Sequence, residues 1–520
     1  MNFSELLRGT DARHSGGDPE ISGLDYNSRR IQPGWVFVAM QGESSNGNRY
    51  IDAALKQGAA AVVTDSETEP RRAGVPWAVV SHGRRALAQM SANFYAKPAE
   101  KLKIIGVTGT NGKTTTTFLC ESILRSCRRP SALIGTIEYH VPVRAAGGKN
   151  AGPSDSDTPF KVLPSPHTTP ESLELNQVFA QAVEAGATHA VMEVSSHALA
   201  QERVWSIPYE VAVFTNLTRD HLDYHKDMDA YFAAKSMLFA GCGARSPRVA
   251  VINADDEYGK KLAHSMRSAN ENEEVTLYGI ESGDFRAVNI NLQQDGTRFE
   301  LVTPAGNARI ETALIGGINV YNILAAAAAT LACGCSLQQI AEAIRSFKQV
   351  PGRFEKVDCG QPFTVVVDYA HTDDALRNLT AIARGFVSRG GGAARVITVF
   401  GCGGDRDRTK RPLMAEAAGQ GSDFVVVTSD NPRSEDPNRI IEDALPGLRK
   451  TGARFAVEPD RRKAIRLAFA EARPGDMVLI AGKGHEKVQI TREGVFPFDD
   501  VLVAREALQQ MSYAKEGGAQ

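Results

Sequence analysis

GVTGTNGKTTTT, residues Gly106–Thr117, follows a strand-like apolar run (Leu102, Ile104, Ile105, Val107) and leads into a helix-like one (Phe118, Leu119, Ile123, Leu124). Strand, glycine turn, Lys-Thr pair and helix form the layout that cradles nucleotide phosphates. Backbone N–H groups of the turn and the positive helix end face the anion, Lys113 adds a mobile charge, and a threonine hydroxyl can hold Mg2+. The spacing is a variant. The common pattern sets a glycine five residues before the glycine of the Gly-Lys pair, and Val107 stands there instead.

The rest of the chain sets the frame for this loop. With 520 residues it has room for about three or four domains. A formal net charge of −2 points to neither nucleic acid nor a membrane surface as partner. Seven scattered cysteines, no pair of them at zinc-site spacing, read as reduced thiols of a cytoplasmic protein. Met1–Asp11 lacks a signal-peptide core, and the apolar run Ile323–Cys335 is too short to span a bilayer. A soluble, cytoplasmic monomer without membrane insertion is expected.

Three α/β patterns follow one another. In residues 1–99, short strands at Trp35–Met40, Ala59–Thr64 and Trp77–Ser81 are separated by helix-like Ile51–Gln57 and Arg84–Tyr95. In residues 100–349, strands at Ala132–Gly135, Ala190–Val194, Val211–Thr215 and Arg248–Ile252 predict a mostly parallel sheet with helices on both faces. Gly147–Thr169 reads as a long surface excursion, and Val288–Glu300 with Thr303–Thr312 as a hairpin region. Helices at Asn322–Cys333 and Leu337–Phe347 close the block. VPGRFE (Val350–Glu355) has the Pro-Gly of a hinge. Beyond it, residues 350–520 carry strands at Phe363–Ala370, Arg395–Gly401, Asp423–Asp430 and Asp476–Gly484, a Rossmann-like pattern whose ligand groups belong at the strands' carboxyl ends.

Polar residues gather at those ends. Glu193 sits at the end of one strand and His221 follows another, so both can reach the cleft of the phosphate loop, where a carboxylate and an imidazole suit Mg2+ directly or through water. His221 and His225 have helical metal-pair spacing but lack an HExxH context, which argues against zinc. Lys235, on an amphipathic helix with Tyr231, Phe232, Leu238 and Phe239, reads by itself as a solvated lysine. Three turns, GCGGDRDRTKRP (Gly401–Pro412), SDNPRSEDP (Ser429–Pro437) and AGKGHEK (Ala481–Lys487), end strands of one sheet and suggest a shared pocket. Their guanidiniums can clamp carboxylates or phosphates bidentately.

Together these residues resemble the Mur ligase family of peptidoglycan synthesis. TGTNGKTTT, EVSSH, TNLxxDHLDYH, AAK, GxxNxYN, PGRFE, DYAH, FGCGGDRDxxKRP, DNPR and AGKGHE occur in the family's order from residue 106 to 486. The resemblance implies three domains, binding UDP (1–99), ATP (100–349) and an amino acid (350–520). It implies an ATP-dependent ligase in which the free carboxylate of a UDP-linked muramoyl dipeptide attacks the γ-phosphate. The amine of the incoming amino acid then displaces phosphate from the acyl phosphate. Dense positive charge is needed to bring two anions together, and Mg2+, Lys113 and arginines would supply it.

By the same resemblance, Gly109, Thr110, Asn111, Gly112, Lys113, Thr114 and Thr115 hold phosphates, with Thr114 or Thr115 on Mg2+. Glu193, His221 and a carbamylated Lys235 serve the metal. Asn319, Asn322, Arg353 and Asp368 complete the ATP site, so catalysis requires closure of the third domain. Ser28 matches a serine that contacts UDP, although Asn27 precedes it where the family has Asp. Thr168, Thr169, Ser195, Gln201 and Arg203 match muramoyl-dipeptide contacts. DNPR is similar to the signature of the diaminopimelate-adding members. Arg406 and Arg433 would pair with the distal carboxylate of that substrate, and Asp430, Asn431, Pro432, Gly482 and Glu486 would complete the pocket, Gly482 and Glu486 at its distal ammonium end. L-Lysine lacks that carboxylate and is the weaker alternative.

Overall fold

The strand Lys103–Thr108 that feeds the phosphate loop lies in the middle of an eleven-stranded sheet, parallel to His189–Glu193 on one side and Tyr209–Phe214 on the other. Ile104, Ile105 and Val107 are fully buried, as a strand covered on both faces demands. The parallel run continues through Ser131–Ile134 in one direction, and through Val249–Asn253 and Glu274–Gly279 in the other. The computed structural model describes residues 1–42, 45–68, 72, 74–143, 159–269, 274–293, 295–388 and 394–511.

Helices cover both faces of this sheet, each over its own apolar core. Phe118, Leu119 and Ile123 of helix Lys113–Ser126 pack with Ile323 and Leu324 of helix Gly317–Ala332 on one face. Leu175 and Phe179 of helix Ser172–Glu184 pack with Tyr231 and Leu238 on the other. The fold is the expected α/β class, with several local differences. The hairpin region is a three-stranded meander, Phe285–Gln293, Gly296–Thr303 and Gly306–Thr312, that extends the main sheet. Glu274–Gly279 is a further strand whose mixed polar pattern hid it. Helix Gly317–Ala332 starts five residues before the expected Asn322, because Gly316 and Gly317 begin the helix instead of breaking it. Of the Gly147–Thr169 excursion, residues 147–158 lie outside the described residues; Phe160–Pro164 is a strand paired with Glu138–Pro142.

Besides the two-stranded hairpin Val488–Thr491 and Gly494–Pro497, two smaller sheets accompany the central one. The first orders Arg13–Ser15, Trp77–Val79, Ala61–Thr64, Trp35–Ala39 and Gly23–Asp25, parallel apart from its first pair. It is tied to the central block by Arg84–Glu171 at 2.9 Å, Arg85–Glu202 at 2.8 Å and a Tyr26 hydroxyl donating to Glu174 at 3.0 Å. The last orders Glu355–Val357, Thr364–Asp368, Met477–Ala481, Val396–Cys402, Phe424–Ser429 and Arg454–Val457, again parallel apart from its first pair. Its parallel strands carry their carboxyl ends to one edge, and the end of Thr364–Asp368 faces the phosphate loop across one cavity. Among the described residues no helix is long and apolar enough to cross a membrane.

Candidate active site

Two glycines shape the phosphate loop. Gly109 has φ +146°, and a Cβ there would meet Thr215 Oγ1 at 1.8 Å. Gly112 has φ +86°, and a Cβ there would meet Asn322 Oδ1 at 2.4 Å. No side chain fits either place without displacing the loop. Asn216 staples the tip, its carbonyl accepting from Thr110 N and its Oδ1 from Asn111 N, both at 2.9 Å. Lys113 Nζ donates to the carbonyls of Gly109 and Thr110, each at 2.9 Å, and burial pushes its pKa down.

The loop forms one wall of a cavity of about 250 Å3. Thr110–Thr115, Glu193, His221, Asn319, Asn322, Arg353 and Asp368 line its polar part, and Ile315, Ile318, Leu379 and Ile382 its apolar part. Such a division suits a triphosphate at one end and a base at the other. Arg353, in the turn Val350–Glu355, reaches in to donate to Thr114 Oγ1 at 3.0 Å, its guanidinium 4.6 Å from the Tyr369 ring centroid. Asp368 fixes the same loop by accepting from Phe354 N at 2.7 Å and Ala370 N at 2.8 Å, and burial raises its pKa. Asn322 donates to Asn319 Oδ1 at 3.0 Å, one helical turn away. Gly109 lies behind the cavity wall, its carbonyl turned to the two lysines.

Glu193 is fully buried and accepts from Thr136 N at 2.8 Å and Thr136 Oγ1 at 2.9 Å. His221 opens helix Leu222–His225 at φ +55°, and burial in the cleft brings its pKa down to about 3, so the ring is neutral at pH 7. Asp220 beside it is held at about 2: burial alone would raise it, but His221, His371 and Lys410 override that. His225 is not a partner of His221 in metal binding. It bonds Ser196 Oγ at 2.9 Å and stacks on Tyr231, and both contacts are internal.

The solvated reading of Lys235 is wrong. Its side chain is 1% exposed, Nζ donates to Gly109 O at 2.7 Å, and it sits 4.6 Å from the Tyr231 ring centroid. Burial, reinforced by the Lys113 charge, pushes its pKa well down. The apolar helix face it shares turns toward the core, and the lysine goes with it.

A magnesium site fits the donors present. A threonine hydroxyl, an anchored carboxylate and a neutral imidazole line one cavity. Among the described residues no three His, Cys, Asp or Glu side chains form a metal-holding group by themselves.

A second cavity of about 370 Å3 is lined by the three turns at the carboxyl ends of the last sheet: Gly401, Gly403 and Arg406; Asp430, Asn431 and Arg433; Gly482 and Glu486. Pro432 does not line it; its carbonyl lies 1.9 Å from where a Gly404 Cβ would stand, so it shapes the turn from behind. Arg433, at φ +54°, donates to Gly404 O at 2.8 Å. Asp220, His221, Tyr369 and His371 line both cavities, so the two meet at one shared wall.

Thr168 and Ser195 line the first cavity. Thr169 Oγ1 accepts from Ser195 N at 3.0 Å and donates to the Glu193 backbone carbonyl at 2.9 Å, which ties Ser195 to the end of the Glu193 strand. Arg203 donates to Gln201 Oε1 and Thr169 O, and pairs with Glu171 at 3.0 Å; Gln201 and Arg203 line neither cavity. Ser28 lies apart in the first sheet's turn. There Asn27 accepts from Arg29 N at 3.1 Å and so fills the capping role of an aspartate.

Comparison with known proteins agrees with this geometry. The Mur ligase family catalytic domain matches residues 20–95, the Mur ligase middle domain 107–330, and the Mur ligase glutamate ligase domain 352–484. A UDP-N-acetylmuramoyl-L-alanyl-D-glutamate–2,6-diaminopimelate ligase of Solibacter usitatus (strain Ellin6076) is 51% identical over 95% of this chain and 94% of its own. The chain belongs to the Mur ligase family. An identically named protein of Geobacillus thermodenitrificans (strain NG80-2) is 46% identical over 96% of each chain. A solved structure of that name is 33% identical, with a TM-score of 0.63, covering 94% of this chain and 95% of its own. As a Mur ligase the chain is an ATP-dependent, ADP-forming acid–amino-acid ligase.

Several Mur ligase site residues escaped the sequence reading. Asp220, Tyr369, His371 and Lys410 form or border the shared wall, Asp374 bridges the domains, and Lys483 lies under the second cavity. All of these except Asp374 fall inside quoted motifs, but their environment depends on segments distant in the chain or on neighbouring strand ends.

Proposed function

We propose that this Mur ligase adds meso-2,6-diaminopimelate to UDP-N-acetylmuramoyl-L-alanyl-D-glutamate in cytoplasmic peptidoglycan precursor synthesis. The observation that carries the reading is the wall shared by the two cavities. It lets an amine held at the DNPR turn reach a carboxylate activated at the end of the triphosphate. The relatives' names supply the substrate class.

On this reading the dipeptide carboxylate lies near Thr168 and Ser195, facing the γ-phosphate at Lys113 and Arg353. It attacks the γ-phosphorus, the bond to the β-phosphate oxygen breaks, and ADP leaves. The diaminopimelate amine adds to the resulting acyl phosphate; phosphate departs and the amine loses a proton. Asp220 and the neutral His221 and His371 border the place where that proton is released. Thr114 or Thr115, Glu193, His221 and a carbamylated Lys235 would hold magnesium, which when bound would supply charge neutralisation between the two anions. Lys235 suits carbamylation because burial and the nearby Lys113 charge favour its neutral amine, the form that adds CO2 and then loses a proton. Ser28 with residues 1–99 would hold the UDP end.

Arg406 and Arg433 would take the distal carboxylate of diaminopimelate. L-Lysine would leave them unpaired, at a cost of about 2–5 kcal/mol, or roughly thirty- to several-thousand-fold. The test is ADP release with the UDP-linked dipeptide plus diaminopimelate, L-lysine or ornithine. Diaminopimelate should give the highest kcat/KM; a higher value for L-lysine refutes the assignment, and no dipeptide-dependent release refutes the ligation.

A further inference from the structure

We propose that Lys483 is a positioning residue of the amino-acid pocket, its ammonium holding the carboxylates of Asp430 and Glu486 side by side to receive the distal ammonium group of the substrate. This rests on the amino-acid reading of the second cavity. Lys483 is fully buried, and its three donors go to acceptors on two different turns: Asp430 Oδ1 at 3.2 Å, Asn431 Oδ1 at 2.9 Å and Glu486 Oε2 at 3.2 Å. It does not line the cavity, whereas Asp430, Asn431 and Glu486 do. A buried ammonium with every donor engaged by protein is a brace, not a ligand.

The brace answers a specific electrostatic problem. Two carboxylates facing one small volume repel, and without a cation between them one retains a proton. A protonated acid holds an ammonium group less firmly than a carboxylate does. Burial and the Asp430 charge raise the pKa of Glu486, and Lys483 opposes them. Asn431 completes the arrangement, donating to Glu486 Oε2 at 2.8 Å and accepting from Ile490 N at 3.0 Å. The other charged or titratable groups lining the cavity with the pair are Arg433 and Arg406 from the neighbouring turns, Lys410 and Asp407 at the next helix, His197, Asp220, His221 and Asp223 from the central block, and Tyr369 and His371. Beneath lies Arg461, whose charge is committed to Asp500 at 2.7 Å. All of these persist when Lys483 is replaced, so a change in titration reports on Lys483.

The experiment measures kcat/KM for diaminopimelate between pH 6 and 9, and KM for ATP, in the full-length enzyme and in Lys483→Met, Lys483→Arg and Lys483→Met/Glu486→Gln. In Lys483→Met the KM for diaminopimelate should rise about tenfold or more while that for ATP stays within about twofold. The acid limb of the profile should move up by about one pH unit. Lys483→Arg should return the limb toward wild type by restoring the charge. The double variant should also return it, by removing the repulsion. The double variant also carries the test if Lys483→Met does not fold; its own failure to fold assigns Lys483 to structure alone and overturns the proposal. An unshifted acid limb in an active Lys483→Met, or equal losses toward ATP and diaminopimelate, overturns it too. A wild-type enzyme without diaminopimelate-dependent turnover instead refutes the substrate reading and takes this inference with it.

Discussion

Asp374→Ala tests whether the Mur ligase site is assembled by docking of its last sheet onto the phosphate loop. Asp374 lies in the first turn of helix Asp373–Val387, and its Oδ2 accepts from Asn111 Nδ2 at 2.9 Å and Thr218 Oγ1 at 3.2 Å. Both donors belong to the central block, so these bonds exist only in the docked arrangement. A hydrogen bond to a charged group contributes about 1.5–3 kcal/mol net. The two share one oxygen, and Asn111 Nδ2 also reaches Thr218 Oγ1 at 3.3 Å, so they are counted as one. The docked state should lose about 1.5–3 kcal/mol relative to the open one, or about ten- to 150-fold in kcat/KM for ATP. Asp374→Asn keeps an acceptor and should lose less than tenfold by the same scale, about. Steady-state ADP release gives the kinetics, and small-angle scattering with nucleotide reports compaction. A double-mutant cycle with Asn111→Ala should show coupling of about 0.5–3 kcal/mol. Asp374→Ala within twofold of wild type, roughly the scatter of such comparisons, or a cycle without coupling, would refute the reasoning.

Three further outcomes follow from single sites. Lys235→Ala should lose most ligase activity and regain part of it with added small carboxylates; full activity in the variant rejects the carbamate. Burial alone would lower His140, but the carboxylates of Glu121 and Glu138 outweigh it and raise its pKa. Its stabilising charge is therefore fully present below about pH 6.5 and lost as pH rises through the folded value. His140→Gln should cost more stability at pH 6 than at pH 9 by urea denaturation, and the reverse order would contradict this. Asp500→Ala strands the fully buried Arg461 and should cost about 3–5 kcal/mol of unfolding free energy; a loss under about 1 kcal/mol would show that Arg461 finds another partner.

What could be read in advance follows the range of the interactions involved. Strand Lys103–Thr108, the glycines and helix Lys113–Ser126 are contiguous, so backbone geometry and a local apolar pattern reveal the phosphate cradle. The same holds for the turns after Val396–Cys402, Phe424–Ser429 and Met477–Ala481, because a parallel sheet carries every strand end to one edge. The meander was misread because alternating residues do not show how many times the chain reverses. The early start of helix Gly317–Ala332 was missed because glycine is a helix breaker except at an N-terminus.

The sequence by itself determined the α/β class, the nucleotide loop and the polar turns, since each depends on neighbours along the chain. Only the tertiary structure decided which charges are buried. Lys235 and Lys483 have ordinary local surroundings, yet one lies beneath Gly109, and the other is held by Asp430 and Asn431, more than fifty residues earlier, together with Glu486. Burial and distant partners set the state of an ammonium group, and neither is encoded in the residues on either side of it.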